Sequence, residues 1–281
     1  MEAIRAVSLN IWNDRESPER RMQVIADDLR VLEPDVVALQ EVREGPFLAQ
    51  ASTLGRMLGL QVAFGAVDAQ SQGGPVGNAV LSRYPIDHVQ NHTLPSSPDD
   101  PRGALQARMR TPAGEVRVTS CHLSWEPQAA LRREQQVLAL DEICQAPDAA
   151  HVLLCGDFNT VPSAAAIRFL TGCDSLAGRG TFFRDAWARR HPGNLEGFTY
   201  SSVNPRAVRW IEQNRRVDYV FVRGPVLERG EHAIIDSRVV LDGPAADGTW
   251  PSDHFGVLAV VRLAPFEGSE LASTNSRISP A

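Results

Sequence analysis

The chain has no lysine: all 28 of its basic residues are arginine. A lysine nucleophile and a Schiff base are therefore excluded. Long apolar runs are missing too, so no segment is expected to span a membrane. The opening stretch MEAIRAVSLNIW lacks the basic region and apolar stretch of a signal peptide, which makes cytoplasmic location the expectation. Excess positive charge is also lacking. A net charge of -6 and a pI near 5.7 argue against a broad basic face for non-specific duplex binding. Phosphate substrates are not excluded, because a metal site can concentrate carboxylates in one cleft. Cysteine is scarce, and Cys121, Cys144, Cys155 and Cys173 show no paired metal-ligand spacing. Their setting in predicted strands (Cys121, Cys155) and a predicted helix (Cys144) points to buried, reduced thiols.

What is present is ordinary for a globular protein: 281 residues, 43% hydrophobic and 22% charged. No repeat or linker divides the chain. Residues 1–265 are expected to form a single domain, and the Ser-rich tail 266–281 to be disordered. Residues 3–9 read as a strand ending at Asn10. Ser17 and Pro18 mark a helix start, with Ser17 as N-cap. Met22, Ile25, Leu29 and Leu32 then recur at helical spacing, and Pro34 ends the run. DVVALQE is a buried strand ending in Glu41, so the chain opens as a layered α/β protein.

A helix over 47–59 and a strand over 60–67 are expected next, followed by a glycine-rich loop up to Gly77. GNAVLSRYPI, entered through Asn78, reads as a strand, and 92–103 as a surface loop. Strands near 104–110 and 115–123 precede a helix over 127–145 that carries Leu131, Val137 and Leu138 inward. VLLCGDFNT (152–160) then delivers Asp157 and Asn159 to a sheet edge, with Gly156 making a sharp turn and Phe158 facing the opposite way. Short helices near 163–171 and 183–190 follow, then an irregular stretch 191–216. Strands are expected over 216–222, 226–241 and 252–263.

The polar residues of interest sit at strand ends. Asn10, Glu41, His122 and Asp157 lie at or near C-terminal ends, and Asn78, Asp218, Asp253 and His254 at or near N-terminal ends. For all of them to share one rim, the second group of strands must run antiparallel to the first, which predicts mixed sheets. Glu41, Asp253 and Asn10 are hard oxygen ligands suited to Mg²⁺ or Mn²⁺. His122 and His254 suit proton chemistry near neutral pH, and Asp218 could orient His254. Each has a duller explanation as well: Asn10 as a strand end, His122 as a core histidine, and Ser252 to His254 as a turn.

LNIW, LQE, GNAVLSRYP, TSCHLSW, GDFN, RVDYVFV and SDHFGV occur in this order over residues 4 to 262. Together they resemble the endonuclease/exonuclease/phosphatase superfamily of metal-dependent phosphoesterases. The resemblance implies a four-layered α/β sandwich: two packed mixed β-sheets flanked by helices. It also implies roles. Glu41 would be the principal Mg²⁺ ligand (Mn²⁺ as substitute), with Asn10 and Asp253 nearby. Asp157 would orient and activate the attacking water, and Asn159 would hydrogen-bond the phosphate. His254, supported by Asp218, would act as base or charge stabiliser. His122 would contact the phosphate or assist the leaving group, and Asn78 would help bind phosphate.

The expected activity is Mg²⁺-dependent phosphoester hydrolysis, with a phosphodiesterase preferred over a phosphatase, acting on a nucleic acid, a nucleotide or another phosphorylated substrate. The alternatives are a sphingomyelinase-like or inositol-phosphate phosphatase activity, or a non-catalytic binding module on the same fold. Arg43, Arg83, Arg102 and Arg215 are candidates to grip substrate phosphates. No apolar docking hairpin is visible, although Trp210 and Trp250 lie in expected loops and could serve for membrane docking.

Overall fold

Near-continuous apolar runs predict strands buried on both faces, and the strands so predicted form the centres of two sheets. The computed structural model describes residues 3–145, 151–194, 196–207, 214–224 and 234–263. The expected tail 266–281, Trp210 and the first part of the expected strand 226–241 lie outside these residues.

The chain opens with β1 (Ala3–Asn10), α1 (Pro18–Leu32) and β2 (Val36–Arg43), and β1 and β2 pair in parallel. Then come α2 (Gln50–Leu58), β3 (Gln61–Asp68) and β4 (Val76–Ser82). The second sheet is built from β5 (Ile86–Thr93), β6 (Gly103–Thr111), β7 (Gly114–His122), β8 (His151–Asp157), β9 (Arg184–Asp185) and β10 (Asp218–Arg223). Helices α3 (Ala130–Ile143), α4 (Ala165–Leu170) and α5 (Ala186–Arg190) are interspersed among its strands. Finally β11 (Ile234–Val240) and β12 (Gly256–Arg262) return to the first sheet, whose order is β11-β12-β1-β2-β4-β3. The second sheet has the order β5-β6-β7-β8-β10-β9. Its parallel pair is β7–β8, while β8–β10 and β1–β12 are antiparallel, as convergence on one rim requires.

Side-chain alternation sorts the core into layers. From β1, Ile4 and Ala6 join Val118 of β7 and Leu153 and Cys155 of β8 between the two sheets. Val7 and Leu9 point the other way, onto Met22, Ile25 and Leu29 of α1 and Leu54 of α2. On the far side, Leu154 and Phe221 meet Val137 and Leu140 of α3 and Ile167 of α4. The result is a four-layered α/β sandwich. Each fully buried leucine or isoleucine in it contributes about 1.5–3 kcal/mol.

Four local expectations are corrected. Ser17 precedes α1 in a left-handed conformation (φ 46°), and its side chain makes no capping bond. Leu131 points out of α3 at 67% exposure; the helix buries Val137 and Leu140 instead. The expected loop 92–103 begins later, because residues 86–93 form the edge strand β5, which is mostly exposed and polar and so carries no apolar alternation. Gly156 lies inside β8 rather than at a turn. A Cβ there would stand 2.1 Å from the Cys121 carbonyl oxygen, so the glycine permits close approach of β7 and β8.

Candidate active site

Strand register builds the floor of the site. His122 ends β7 opposite Asp157 at the end of β8, and Asp157 stands opposite Asp218 at the start of β10. Three neighbouring strands therefore present three polar side chains in one row. Asn10, at the end of β1 in the other sheet, donates from Nδ2 to Asp157 Oδ2 and to Glu41 Oε1, each at 3.1 Å. That one amide ties the two sheets together at the rim.

His254 lies two residues before β12 and completes the row. Its Nδ1 donates to Asp218 Oδ2 at 2.9 Å, and its Nε2 stands 3.7 Å from Asp157 Oδ2. Burial alone would lower the His254 pKa, but the surrounding Asp218, Asp157 and Asp253 carboxylates outweigh it and hold the ring charged well above the ordinary histidine value. Asp157 is shifted upward, by burial first and by Asp218 second, against the opposing pull of His254. His122 goes the other way. Burial, then Arg102 and His254, push its pKa well below the ordinary value. The neutral ring accepts at Nε2 from Asn159 Nδ2 at 3.0 Å. Asn159 also donates to the Leu123 carbonyl at 3.0 Å, and its backbone N–H donates to Asp157 Oδ1 at 2.8 Å.

Glu41 is aimed by a bulge. The β2–β4 register shifts between Leu39 and Val42, and Glu41 takes φ 55°. Beneath it, Gln40 Nε2 donates to Ser120 Oγ, which donates to the Leu39 carbonyl, at 2.9 and 2.8 Å. Asp253 lies close enough for Glu41 to help raise its pKa to about 6, burial being the larger cause. Asn78 donates to the Gly103 carbonyl at 2.9 Å. Glu41, Asn78, His122, Asp157, Asn159, Asp253 and His254 all line one cavity of about 890 Å³; Asn10 and Asp218 sit behind that lining.

The donor chemistry fits a hard divalent cation. Two carboxylates, Glu41 and Asp253, repel each other beside the cavity, and a cation between them would relieve that repulsion. Asn10 turns its Oδ1 to the Trp12 N–H at 3.0 Å, so its amide nitrogen faces Glu41. One donor atom each from Asp157, Asp218 and His254 also falls within 4.8 Å of the others, a spacing that could hold an ion. In that trio, however, Asp218 and His254 are already joined by a hydrogen bond within the floor.

Of the arginines expected to grip phosphate, Arg102 and Arg215 line the cavity. Arg102 is held there by Asp100 through Nε at 2.8 Å. Arg43 is spent on structure, donating to the Gln72 and Gly74 carbonyls at 2.6 and 3.0 Å. Arg83 pairs with Asp35 at 3.3 Å and is absent from the cavity wall. Trp250 stacks on Phe255 with ring centres 6.1 Å apart.

Sequence reasoning missed the residues that support this row. Thr199 Oγ1 accepts from the backbone N–H groups of Val217 and Asp218, at 3.1 and 3.0 Å. Tyr200 lies against His254, with ring centres 5.0 Å apart. Ser252 Oγ donates to the Asn10 carbonyl at 2.6 Å and accepts from the His254 N–H at 3.2 Å. Thr199 and Tyr200 come from a loop with no periodicity to read. Ser252 was readable only as part of a turn.

The family model described as "Endonuclease/Exonuclease/phosphatase family" matches residues 7–254. YbhP, an uncharacterized protein of Escherichia coli (strain K12), is 28% identical over 172 residues, 56% of this chain and 67% of its own. The solved structure of D. rerio TDP2 complexed with single strand DNA product superposes with a TM-score of 0.73 at 20% identity, covering 92% of this chain and 99% of that one. An endonuclease/exonuclease/phosphatase from Beutenbergia cavernae DSM 12333 gives 0.68 at 23% identity, covering 94% and 72%. At these identities the structural likenesses establish the fold.

Proposed function

The chain belongs to the endonuclease/exonuclease/phosphatase family, and on that premise we propose that it is a divalent-metal-dependent phosphodiesterase acting on a nucleic-acid or nucleotide diester. The observation that carries the reading is the row Asp218–His254–Asp157 on the floor of the cavity that Glu41 and Asp253 also line. A structural neighbour solved with a single-stranded DNA product supports the substrate class.

Glu41 and Asp253 would hold Mg²⁺, or Mn²⁺ in its place; Asn10, expected as a third ligand, instead orients the Glu41 carboxylate through Nδ2. Bound there, the ion supplies Lewis-acid neutralisation of charge on a phosphoryl oxygen. The remaining work falls to the chain itself. Asp157, its basicity raised by burial, orients a water for in-line attack and accepts its proton. His254, kept charged by Asp218, donates from Nε2 to the phosphoryl oxygens as negative charge builds there. The P–O bond to the leaving alcohol breaks as the water oxygen bonds to phosphorus, and solvent protonates the alkoxide.

His122 is neutral and accepts from Asn159, so its task is to fix the Asn159 amide beside the phosphate, in the cavity that Asn78 also lines. To donate to phosphate directly, Asn159 would exchange one of its two present acceptors for a substrate oxygen.

The test is hydrolysis of bis(p-nitrophenyl) phosphate with Mg²⁺ or with EDTA. Activity should require the cation and fall by about two orders of magnitude or more in Asp157→Asn and Glu41→Ala, the scale of losing one preorganised electrostatic group. Absence of metal-dependent hydrolysis of any phosphodiester would sink the reading.

A further inference from the structure

Trp12 occupies an unfavourable backbone conformation that many bonds enforce. It follows β1 with φ 58°, and its neighbour Asn13 has φ 48°. A bulky residue with positive φ is an outlier that persists only where its surroundings over-determine it. The surroundings here are explicit. Asn10 Oδ1 accepts from the Trp12 N–H at 3.0 Å. Arg21, 2% exposed, then spends its guanidinium on backbone carbonyls. Nε donates to Arg15 and Glu16 at 2.9 and 3.0 Å, Nη1 to Ile11 and Pro251 at 2.5 and 3.2 Å, and Nη2 to Trp12 and Asn13 at 3.3 and 2.7 Å. The same guanidinium carbon lies over the Trp12 ring, 5.3 Å from its centre. One ring face is thus backed by a buried cation, and Trp12 lines the cavity that also contains Glu41 and His254.

We propose, resting on the phosphodiesterase reading, that Trp12 is a stacking platform for a nucleobase adjoining the scissile phosphate. A rigid indole with a fixed cationic backing presents one flat face, and every base has a π-face to match it. The rest of the wall favours a base over an acyl chain. Asp68, Ser71 and Asp99 line the same cavity and offer acceptors and a hydroxyl to a base edge. An acyl chain packed against them would strip water from the Asp68 and Asp99 carboxylates and offer nothing in return. With a net charge of -6, the occupant is a single strand or a nucleotide rather than a duplex held by its backbone charge.

The experiment compares a fluorescein-labelled single-stranded trinucleotide with the same molecule carrying abasic tetrahydrofuran residues. Binding is read by anisotropy in EDTA, and kcat/KM in Mg²⁺, for wild type, Trp12→Phe and Trp12→Leu. Wild type should prefer the base-containing strand, and Trp12→Leu should lose about 5- to 150-fold in affinity for it, the range spanned by one base–aromatic stack. Trp12→Phe should keep most of that affinity, and neither variant should alter binding of the abasic strand. Equal binding of both strands by wild type overturns the proposal whether or not the leucine variant folds. So does a Trp12→Leu loss that is the same on both strands. Base-selective, Trp12-dependent binding without hydrolysis would refute the phosphodiesterase reading and leave the platform standing.

Discussion

Replacing Asp218 by asparagine removes a charge and keeps a shape. The side chain is fully buried, and its Oδ2 accepts from His254 Nδ1 at 2.9 Å. The start of β10 is held separately, by the two backbone N–H groups that donate to Thr199 Oγ1, so the variant should fold. An asparagine oxygen can still accept from Nδ1, which preserves the ring orientation. What disappears is the attraction between carboxylate and imidazolium. Two unit charges about 4 Å apart at an effective dielectric near 20 interact by about 4 kcal/mol. The retained neutral hydrogen bond and the relieved desolvation return part of this, leaving about 2–3 kcal/mol. If His254 acts as a cation in the transition state, Asp218→Asn should lower kcat by about 30- to 150-fold. The assay is kcat on bis(p-nitrophenyl) phosphate across pH, for Asp218→Asn, His254→Ala and the double variant. The alkaline limb of the profile should move to lower pH, because loss of the carboxylate lowers the His254 pKa. In the His254→Ala background, Asp218→Asn should have little further effect. An unchanged kcat, or two losses that simply multiply, would refute the argument that Asp218 works through His254.

Two further outcomes follow from packing and charge. Gly156→Ala places a Cβ 2.1 Å from the Cys121 carbonyl oxygen and must push β7 from β8 just below Asp157; urea unfolding should show a loss of about 1–3 kcal/mol, as for overpacking elsewhere, with reduced kcat. Asp157 and Asp253 are raised above the ordinary 3.8, Asp253 to about 6, and His254 above 6.5. Groups raised on folding give stability that is complete below their unfolded values and lost as pH rises through their folded ones. The contribution of these three groups to the stability of metal-free protein should therefore fall from about pH 4 upward, through and beyond pH 6, while His122, whose pKa is lowered on folding, contributes the opposite trend below 6.5. Mg²⁺ should raise the melting temperature more at pH 8 than at pH 5; a pH-independent metal effect would contradict the placement of the cation beside these carboxylates.

Much of this arrangement is legible in the sequence because its parts are strands buried on both faces. Runs such as VLLC and DVVAL admit few alternatives, and a polar residue closing such a run, Glu41 or Asp157, needs a partner. The antiparallel return of β10 and β12 followed from requiring Asp218 and His254 to share a rim with them, and the pairing agrees. The losses have equally physical causes. β5 is a polar edge strand whose pairing is supplied by β6, so its own residues carry no pattern. Gly156 reads as a turn in sequence because its real constraint, the Cys121 carbonyl, is far away along the chain. Arg21 resembles any charged residue of an amphipathic helix until its six carbonyl acceptors are brought around it by the fold. Arg43 and Arg83 show the converse: proximity to a motif in sequence says little about which way a long side chain turns.

The central claim is that water, oriented by Asp157 beside charged His254, attacks phosphorus in a diester. Hydrolysis of a dinucleotide in ¹⁸O-labelled water, with Mg²⁺ and mass analysis of the products, tests it most directly. The account predicts one ¹⁸O atom on the phosphomonoester product and none on the released alcohol, with no turnover in EDTA. Label on the alcohol, or a product formed without solvent oxygen, would contradict it.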